Sequence, residues 1–107
     1  MDDCIFCKII NKEIPTEYIL DRDNFIVIKD IVPKAPIHYL FIPKKHIKSM
    51  LHLDMDDSKL LSDMMLGTKE IANNLGLNEK GYKLVVNTGK DCGQEVMHLH
   101  IHFLADL

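Results

Sequence analysis

The amino-acid sequence predicts an α+β fold with an antiparallel sheet, on the basis of three patterns. Residues 18–21 and 25–29 are rich in β-branched and aromatic residues and flank the polar segment 21–24, which is typical of a hairpin. Residues 60–75 repeat apolar side chains at the spacing of a helix. Residues 96–104 contain histidines that alternate with apolar residues, which is the period of a strand. Hairpin strands together with one long helix indicate the α+β class.

The N-terminal part of the chain predicts a short helix, a loop and a further strand. Residues 4–10 form the helical turn, which ends before Pro15. The residues expected to face inward from this turn are Phe6, Ile9 and Ile10. Residues 33–36 contain two prolines and form a loop. Residues 38–42 then form a strand that stops at Pro43.

The long helix is expected to begin behind Asp56 and Asp57, since aspartate favours the N-terminal cap of a helix. It continues for about five turns at the 3.6-residue period and ends at Gly76. Its periodic residues are Leu60, Leu61, Met64, Met65, Thr68, Ile71, Ala72 and Leu75. Beyond the helix, residues 82–87 predict a strand and residues 88–94 a loop with two glycines.

Length and composition restrict the classes of function. A chain of 107 residues is enough for one domain, 1–107, with one modest core. Apolar residues make up 47% and charged residues 27%, which is typical of a soluble globular protein. The formal net charge is −3 and the basic residues are scattered. This argues against nucleic-acid binding, which requires a concentrated basic face, but a few backbone amides suffice to hold a single nucleotide.

The N-terminal sequence and the cysteine usage indicate the cytoplasm. Residues 1–4 are acidic and lack the pattern of a secretory signal. The apolar runs are far shorter than the roughly 20 residues that span a bilayer. We therefore expect a cytoplasmic protein without membrane contact, in which thiols stay reduced. The odd count of three cysteines also argues against a disulfide framework.

The segment from His98 to Phe103 carries the clearest functional pattern. On a strand, His98, His100 and His102 share one face, and the three apolar residues between them share the other. Neighbouring same-face positions lie roughly 6.5–7 Å apart. The apolar face is expected to pack on the long helix, and the imidazoles require polar partners.

Three interpretations of these histidines remain open. They are ordinary histidines with satisfied hydrogen bonds, ligands of a metal such as zinc, or a site where one imidazole attacks phosphorus. The preceding loop, residues 87–95, favours catalysis, because its glycines allow backbone amides to approach an anion closely.

The segment His98-Leu99-His100-Ile101-His102-Phe103-Leu104 resembles the histidine-triad motif, His-φ-His-φ-His-φ-φ with φ apolar. The resemblance extends over nearly the whole chain and is to the Hint branch of the histidine-triad (HIT) family. The other segments that resemble this branch, in order, are Ile5-Phe6-Cys7-Lys8-Ile9-Ile10, Glu13-Ile14-Pro15, Asp30-Ile31, Pro36-Ile37-His38, Ile42-Pro43-Lys44-Lys45-His46 and Val85-Val86-Asn87. It implies a five-stranded antiparallel sheet, a homodimer and binding of purine nucleoside monophosphates.

The resemblance also implies roles for individual residues. His100 matches the nucleophile that becomes a nucleotidyl-histidine, His102 a histidine that contacts the phosphate, and His38 the further histidine of the pocket. Asp30 matches the acidic residue that binds the ribose hydroxyls, followed by Ile31 along the nucleoside. The apolar residues that match the base pocket are Phe6, Ile9, Ile14 and Ile28. The residues that match the loop on the phosphate side are Asn87, Gly93 and Gln94.

The implied activity is that of a purine nucleoside phosphoramidase-like hydrolase. Neutral His100 attacks the α-phosphorus, its other ring nitrogen donates to a carbonyl, and the amine leaves with proton help from a neighbour such as His102. Water then hydrolyses the intermediate. A dinucleoside polyphosphate hydrolase and a nucleotide-binding regulatory module with little turnover are the alternatives.

Two positions depart from the pattern of many relatives. Glu95 stands where these have a serine that contacts phosphate. Since a carboxylate repels an anion, Glu95 either turns away or changes the preferred leaving group. The sequence ends at Leu107, whereas longer relatives carry a tail that reaches towards the partner's site, so we expect selectivity from such a tail to be missing.

Cys4 and Cys7 form a C-x-x-C pair with three interpretations. They are a chance pair, a redox motif for which the βαβ context is absent, or half of a zinc site. His46 and His98 are the candidates for the other two ligands, because bacterial relatives bind zinc with such a set of two cysteines and two histidines. We favour a structural zinc ion. Cys92, in the loop, is expected to be a free thiol.

Overall fold

A computed structural model describes residues 3–107; the acidic start at Met1 and Asp2 lies outside the described residues. The strands form one five-stranded sheet in the order β1-β2-β3-β5-β4, with every neighbouring pair antiparallel. The elements are α1 (Ile5–Ile10), β1 (Leu20–Asp21), β2 (Phe25–Lys29), β3 (Ile37–Pro43), α2 (Ser58–Asn74), β4 (Lys83–Val85) and β5 (Ile101–Ala105). The predicted α+β class, the sheet and both helices are confirmed. Among the described helices, none is long and apolar enough to cross a membrane.

The sheet is covered on both faces, because side chains alternate along each strand. One face packs under α2, where Met64, Ile71 and the strand residue Phe103 belong to one buried cluster. The other face packs under α1, where Phe6 and Ile9 join a second cluster. The strand residues of that second cluster are Ile26, Ile28, Leu40 and Ile42. The central strands are therefore buried on two sides, and the α1 side also receives the histidines.

The start of α2 differs from the prediction. A 3₁₀ turn, Met55–Asp57, precedes the helix, and Asp54 caps that turn by accepting from the Asp56 N–H. Asp57 precedes the helix but makes no side-chain cap to it. Its carboxylate instead accepts from the Asp54 N–H and from Lys45. The acidic residues do mark the start of the helical segment. However, Asp54 caps the 3₁₀ turn, and Asp57 binds a backbone N–H and Lys45 instead of capping α2.

The end of α2 is at the predicted glycine. Gly76 has φ of +72°, a left-handed conformation that glycine adopts without steric penalty. The Gly76 N–H bonds to the Asn73 carbonyl, and the Leu77 N–H bonds to the Ala72 carbonyl. This pair of bonds is the Schellman arrangement, which satisfies the last carbonyls of the helix.

Three strands are shorter than predicted. β5 begins at Ile101 rather than at residue 96, β4 spans Lys83–Val85 rather than 82–87, and β1 has two residues. The late start of β5 has a local cause at the end of β3. Pro43 has no N–H to donate to a ladder, and its carbonyl accepts from the His98 ring instead. His98 and His100 therefore precede the strand that carries His102.

Candidate functional site

His98, His100 and His102 lie on the α1 side of the sheet. The Phe6 ring contacts the His98 and His100 rings edge-on, with centroids 5.8 and 5.1 Å apart. The centroid of the His102 ring lies 5.0 Å from that of His100. The intervening apolar residues Leu99, Ile101 and Phe103 all belong to the cluster under α2. The predicted division into a histidine face and an apolar face is thus present, although only part of this segment is strand.

The hydrogen bonding of His100 fixes its tautomer. Its Nδ1 lies 2.7 Å from the His98 carbonyl oxygen. A carbonyl only accepts, so Nδ1 carries the proton and Nε2 keeps its lone pair. The residue is buried, with 8% of its surface exposed. His100 therefore presents one nucleophilic nitrogen with an orientation set by the backbone.

His38 and His102 are directly hydrogen-bonded. His38 Nε2 lies 2.9 Å from His102 Nδ1, and the Lys34 N–H donates to His38 Nδ1 at 3.0 Å. An Asp30 carboxylate oxygen lies 3.4 Å from His38 Nε2. The other Asp30 oxygen accepts from the Val32 N–H. Asp30, His38 and His102 are thus brought together from the β2–β3 loop, β3 and β5.

The pKa of His102 is lowered from 6.5 to about 4 by burial and by the neighbouring His100 and His38. Its imidazole is therefore neutral near neutral pH. Since the folded pKa lies below that of the unfolded chain, the unfolded chain takes up this proton first as pH falls. The corresponding stability is complete above pH 6.5 and is lost as pH falls towards about 4.

The residues predicted for the base pocket lie together in part. Phe6, Ile9 and Ile28 are buried in one cluster, and Ile14 packs against it. Ile31 stands apart, with 92% of its surface exposed. Leu40 belongs to the same cluster and Val96 packs against it, and neither was predicted. The continuous apolar runs of β2 and β3 are the signal for strands that are buried on both faces.

Gln94 holds the loop of residues 87–96 by its side chain. Its Oε1 accepts from the Gly89 N–H at 2.9 Å, and its Nε2 donates to the carbonyls of Lys48 and Val96 at 2.7 and 3.0 Å. The side chain is buried and fully engaged with backbone, so any contribution to a ligand passes through the loop it shapes. Gly93 has φ of +94° beside the Asn87 side chain, whereas Glu95 is exposed.

Replacement of Gln94 with methionine is expected to lower the free energy of unfolding by about 2–4 kcal/mol, because buried backbone groups lose their partners at about 1–3 kcal/mol each. Chemical denaturation measures the effect. The matched control is Glu95→Gln, an exposed neighbour, expected to change stability by no more than about 0.5 kcal/mol. Equal stability of the two variants would contradict the role given to Gln94.

The four predicted metal ligands converge on one point. The donor atoms of Cys4, Cys7, His46 and His98 all lie within 4.8 Å of one another. The shortest separations are 3.1 Å between the two Nδ1 atoms and 3.2 Å between Cys7 Sγ and His46 Nδ1. Zn–S and Zn–N bonds of about 2.3 and 2.0 Å imply ligand atoms about 3.3–3.8 Å apart in a tetrahedron. The His98 Nε2 donates to the Pro43 carbonyl, so its Nδ1 lone pair faces the cluster.

The pKa values of Cys7 and His98 are also consistent with a bound cation. The pKa of Cys7 is raised to about 11 by burial and by Cys4, and that of His98 is lowered to about 4, chiefly by burial. A neutral imidazole is the ligand form, and a divalent cation offsets the cost of two adjacent thiolates. The second histidine-rich cluster, around Asp30, fits less well, because the proton on His38 Nε2 points into it.

Comparisons with known proteins identify relatives that match almost the whole chain. The family model described as "Scavenger mRNA decapping enzyme C-term binding" matches residues 3–106. Protein HitA of Neisseria gonorrhoeae is 49% identical over 104 residues, which are 97% of this chain and 96% of that protein.

Solved structures show the same fold. A HIT family hydrolase from Legionella pneumophila Philadelphia 1 is 43% identical with a TM-score of 0.94, and the match covers 98% of this chain and 94% of that chain. A histidine triad nucleotide-binding protein from Candida albicans is 34% identical with a TM-score of 0.85, and the match covers 94% and 73% of the two chains. With its His98-to-Leu104 motif and these matches along almost its whole length, the chain belongs to the histidine-triad family.

Proposed function

We propose that this chain is a purine nucleoside phosphoramidase-like hydrolase of the Hint branch, which cleaves a P–N bond at the α-phosphate of a nucleoside monophosphate derivative. The observation that carries the proposal is the tautomer of His100. Its Nδ1–H is held by the His98 carbonyl, which leaves the Nε2 lone pair for attack beside His102. Nucleophilic attack requires such a deprotonated ring nitrogen held in a fixed direction.

The first step forms a bond between His100 Nε2 and phosphorus and breaks the P–N bond, whose electron pair leaves with nitrogen. The positive charge that develops on His100 is stabilised by its bond to the His98 carbonyl. In the second step, water displaces the histidine and releases the nucleoside monophosphate. The two-step route divides one difficult displacement into two easier ones.

The nucleotide is placed by groups around this nitrogen. Asp30, whose side chain is 19% exposed, offers a carboxylate to the ribose hydroxyls. We assign the loop held by Gln94 to the phosphate side. The amides of Gly89, Cys92, Gly93 and Gln94 already bond within the loop, so other amides of the loop would contact the phosphate. The cluster of Phe6, Ile9 and Ile28 forms the apolar floor for the base. The histidine triad nucleotide-binding protein from Candida albicans supports a nucleotide as ligand.

Mass spectrometry of the protein mixed with an adenosine phosphoramidate tests this function. The expected result is release of free amine and AMP, with a transient nucleotidyl adduct on His100 after rapid quenching. Release of AMP from a diadenosine polyphosphate, but not from the phosphoramidate, would instead identify a dinucleoside polyphosphate hydrolase. AMP binding without release of amine would identify a regulatory module.

A structural zinc ion held by Cys4, Cys7, His46 and His98 accompanies the proposed function. The convergence of two thiolate and two imidazole donors at tetrahedral spacing supports it. Bound there, zinc ties α1 to the segment that precedes β5. Its contribution is to the position of that segment and not to the reaction.

We also propose that the chain forms a homodimer. Within the described residues, β4 is an edge strand whose one neighbour is β5, and Met65 on α2 has 51% of its surface exposed. Pairing of such an edge with its copy across a two-fold axis removes a site of aggregation. Val85 on β4 pairs with His102 and therefore shares the face of the histidines. A charge at Val85 would disturb the histidine site, so Met65 is the better position for a substitution that disrupts the dimer.

Replacement of Met65 with glutamate is expected to convert a dimer at micromolar concentration into a monomer. The two-fold axis places two glutamates in the interface, and burial of an unpaired charge costs several kcal/mol. The dissociation constant of the dimer should therefore rise by about 100-fold or more. Analytical ultracentrifugation measures it, with Leu51→Glu as the control at another exposed apolar residue. A wild-type monomer at these concentrations with full activity would refute the dimer.

A further inference from the structure

Cys4 and Cys7 are close enough to each other to form a disulfide. Cys4 caps the start of α1, where its Sγ accepts from the Cys7 N–H at 3.4 Å. The two Sγ atoms lie within 4.8 Å of each other in the four-ligand cluster. Residues three apart on a helical turn have Cα atoms about 5 Å apart, which is within the range that a disulfide spans. The pair can therefore serve either as thiolate ligands of a metal or as a disulfide, but not as both at once.

The sulfur atoms of this pair are accessible to small molecules from two sides of the cluster. A cleft of about 380 Å³ is lined by Cys7 and His46, and another of about 400 Å³ is lined by Cys4 and His46. Both cysteines are half-buried, whereas His98 is fully buried. Oxidation of a cysteine depends on its exposure and its thiolate character, and a metal-bound cysteine is a thiolate. A small oxidant can therefore reach both sulfurs while the cluster is intact.

The helix α1 connects the cysteine pair to the proposed base pocket. Phe6 lies between the two cysteines in the chain and is buried with Ile9 in the cluster under α1. The Phe6 ring contacts the rings of His98 and His100, with centroids 5.8 and 5.1 Å apart. His98 is also one of the four converging ligands. A metal held by the four ligands therefore fixes α1, and with it Phe6, against the segment that precedes β5.

We propose that Cys4 and Cys7 are a reversible oxidation site, at which hydrogen peroxide converts the two zinc-bound thiolates into a disulfide and the chain releases its zinc ion. One thiolate attacks a peroxide oxygen, which breaks the O–O bond and gives a sulfenic acid and hydroxide. The other thiolate attacks the sulfenic sulfur, forms the S–S bond and expels a second hydroxide. The sulfurs lose two electrons, the peroxide gains them, and two protons from solvent convert the hydroxides into water.

Oxidation is also expected to weaken the binding of a nucleotide, and this part of the inference rests on the proposed function. Without the metal, α1 is no longer held to His46 and His98, so Phe6 loses its fixed position beside His100. We expect the affinity for AMP to fall about tenfold, which is within the usual range for coupled sites. Because such coupling is reciprocal, bound AMP should raise the affinity for zinc by the same factor.

Treatment of the zinc-loaded chain with hydrogen peroxide tests the inference. A chromophoric chelator records the release of zinc, and mass spectrometry of peptides locates the disulfide between Cys4 and Cys7. The expected result is about one zinc ion released for each disulfide formed. Dithiothreitol with added zinc should restore the thiols and the bound metal. Cys92→Ser is the matched control, because it removes an exposed thiol outside the cluster and should leave the release of zinc unchanged.

Two results would overturn the oxidation site. One is retention of zinc under conditions that oxidise Cys92, and the other is a purified chain with reduced cysteines and no zinc. Release of zinc with Cys4 and Cys7 oxidised separately to sulfinic acids would also contradict it, since that oxidation is not reversed by a thiol.

Calorimetric titration with AMP tests the coupling to the nucleotide pocket. The disulfide form is first checked by circular dichroism to be folded, and its AMP affinity is then compared with that of the zinc-loaded form. An unchanged affinity would contradict the connection through Phe6. Absence of AMP binding by the zinc-loaded chain would count against the proposed function, whereas the release of zinc on oxidation would stand.

Discussion

Replacement of His100 with alanine is expected to reduce turnover of an adenosine phosphoramidate by about 10⁴-fold or more, because no other group can form the nucleotidyl intermediate. AMP affinity should change by less than about tenfold, since the proposed binding groups are spread over Asp30, the loop held by Gln94 and the apolar cluster under α1. Steady-state kinetics and calorimetric titration with AMP separate the two effects.

The control for His100 is His52→Ala, at an exposed histidine on the 3₁₀ turn Met50–His52. This variant removes the same side chain away from β5 and should keep wild-type rates. Near-wild-type hydrolysis by His100→Ala would refute the assignment of the nucleophile. Loss of AMP binding in step with turnover would show that His100 acts in binding.

Removal of zinc is expected to destabilise the chain more than it slows the chemistry. The purified protein should carry about one zinc ion per chain, and chelation or Cys7→Ser should lower Tm by about 10 °C or more. That shift corresponds to a loss of a few kcal/mol in a domain of this size, since a metal that binds only the folded state stabilises it by mass action. Elemental analysis and thermal unfolding are the measurements.

Cys92→Ser is the matched control for the cysteine cluster. Cys92 is an exposed free thiol outside the cluster, and its replacement should leave both zinc content and Tm unchanged. Absence of zinc from protein with reduced cysteines would refute the proposal. A loss of activity without a loss of stability would show that the metal acts in the reaction. The two sites are linked, because the His98 carbonyl accepts from His100.

The order of the elements is readable from the chain because it depends on local patterns. The helical period of 60–75 and the glycine at its end predicted α2 and its termination at Gly76. The alternation around His98–Phe103 predicted which side chains face α2, and the structure places them there. Strand ends were less predictable, because pairing depends on the partner. Pro43 on β3 delays the start of β5, and no pattern within residues 96–104 records this.

The fold class, the histidine-triad motif and the residue types around the site can be read from the chain alone, since residue type and period are local properties. The way in which those residues act depends on contacts between distant segments. The tautomer of His100 depends on the His98 carbonyl. Likewise Cys4 and Cys7 become half of a four-ligand cluster because α1 folds against residues more than 30 positions away. Protons and ligand directions follow from distances between distant segments, which a linear pattern does not encode.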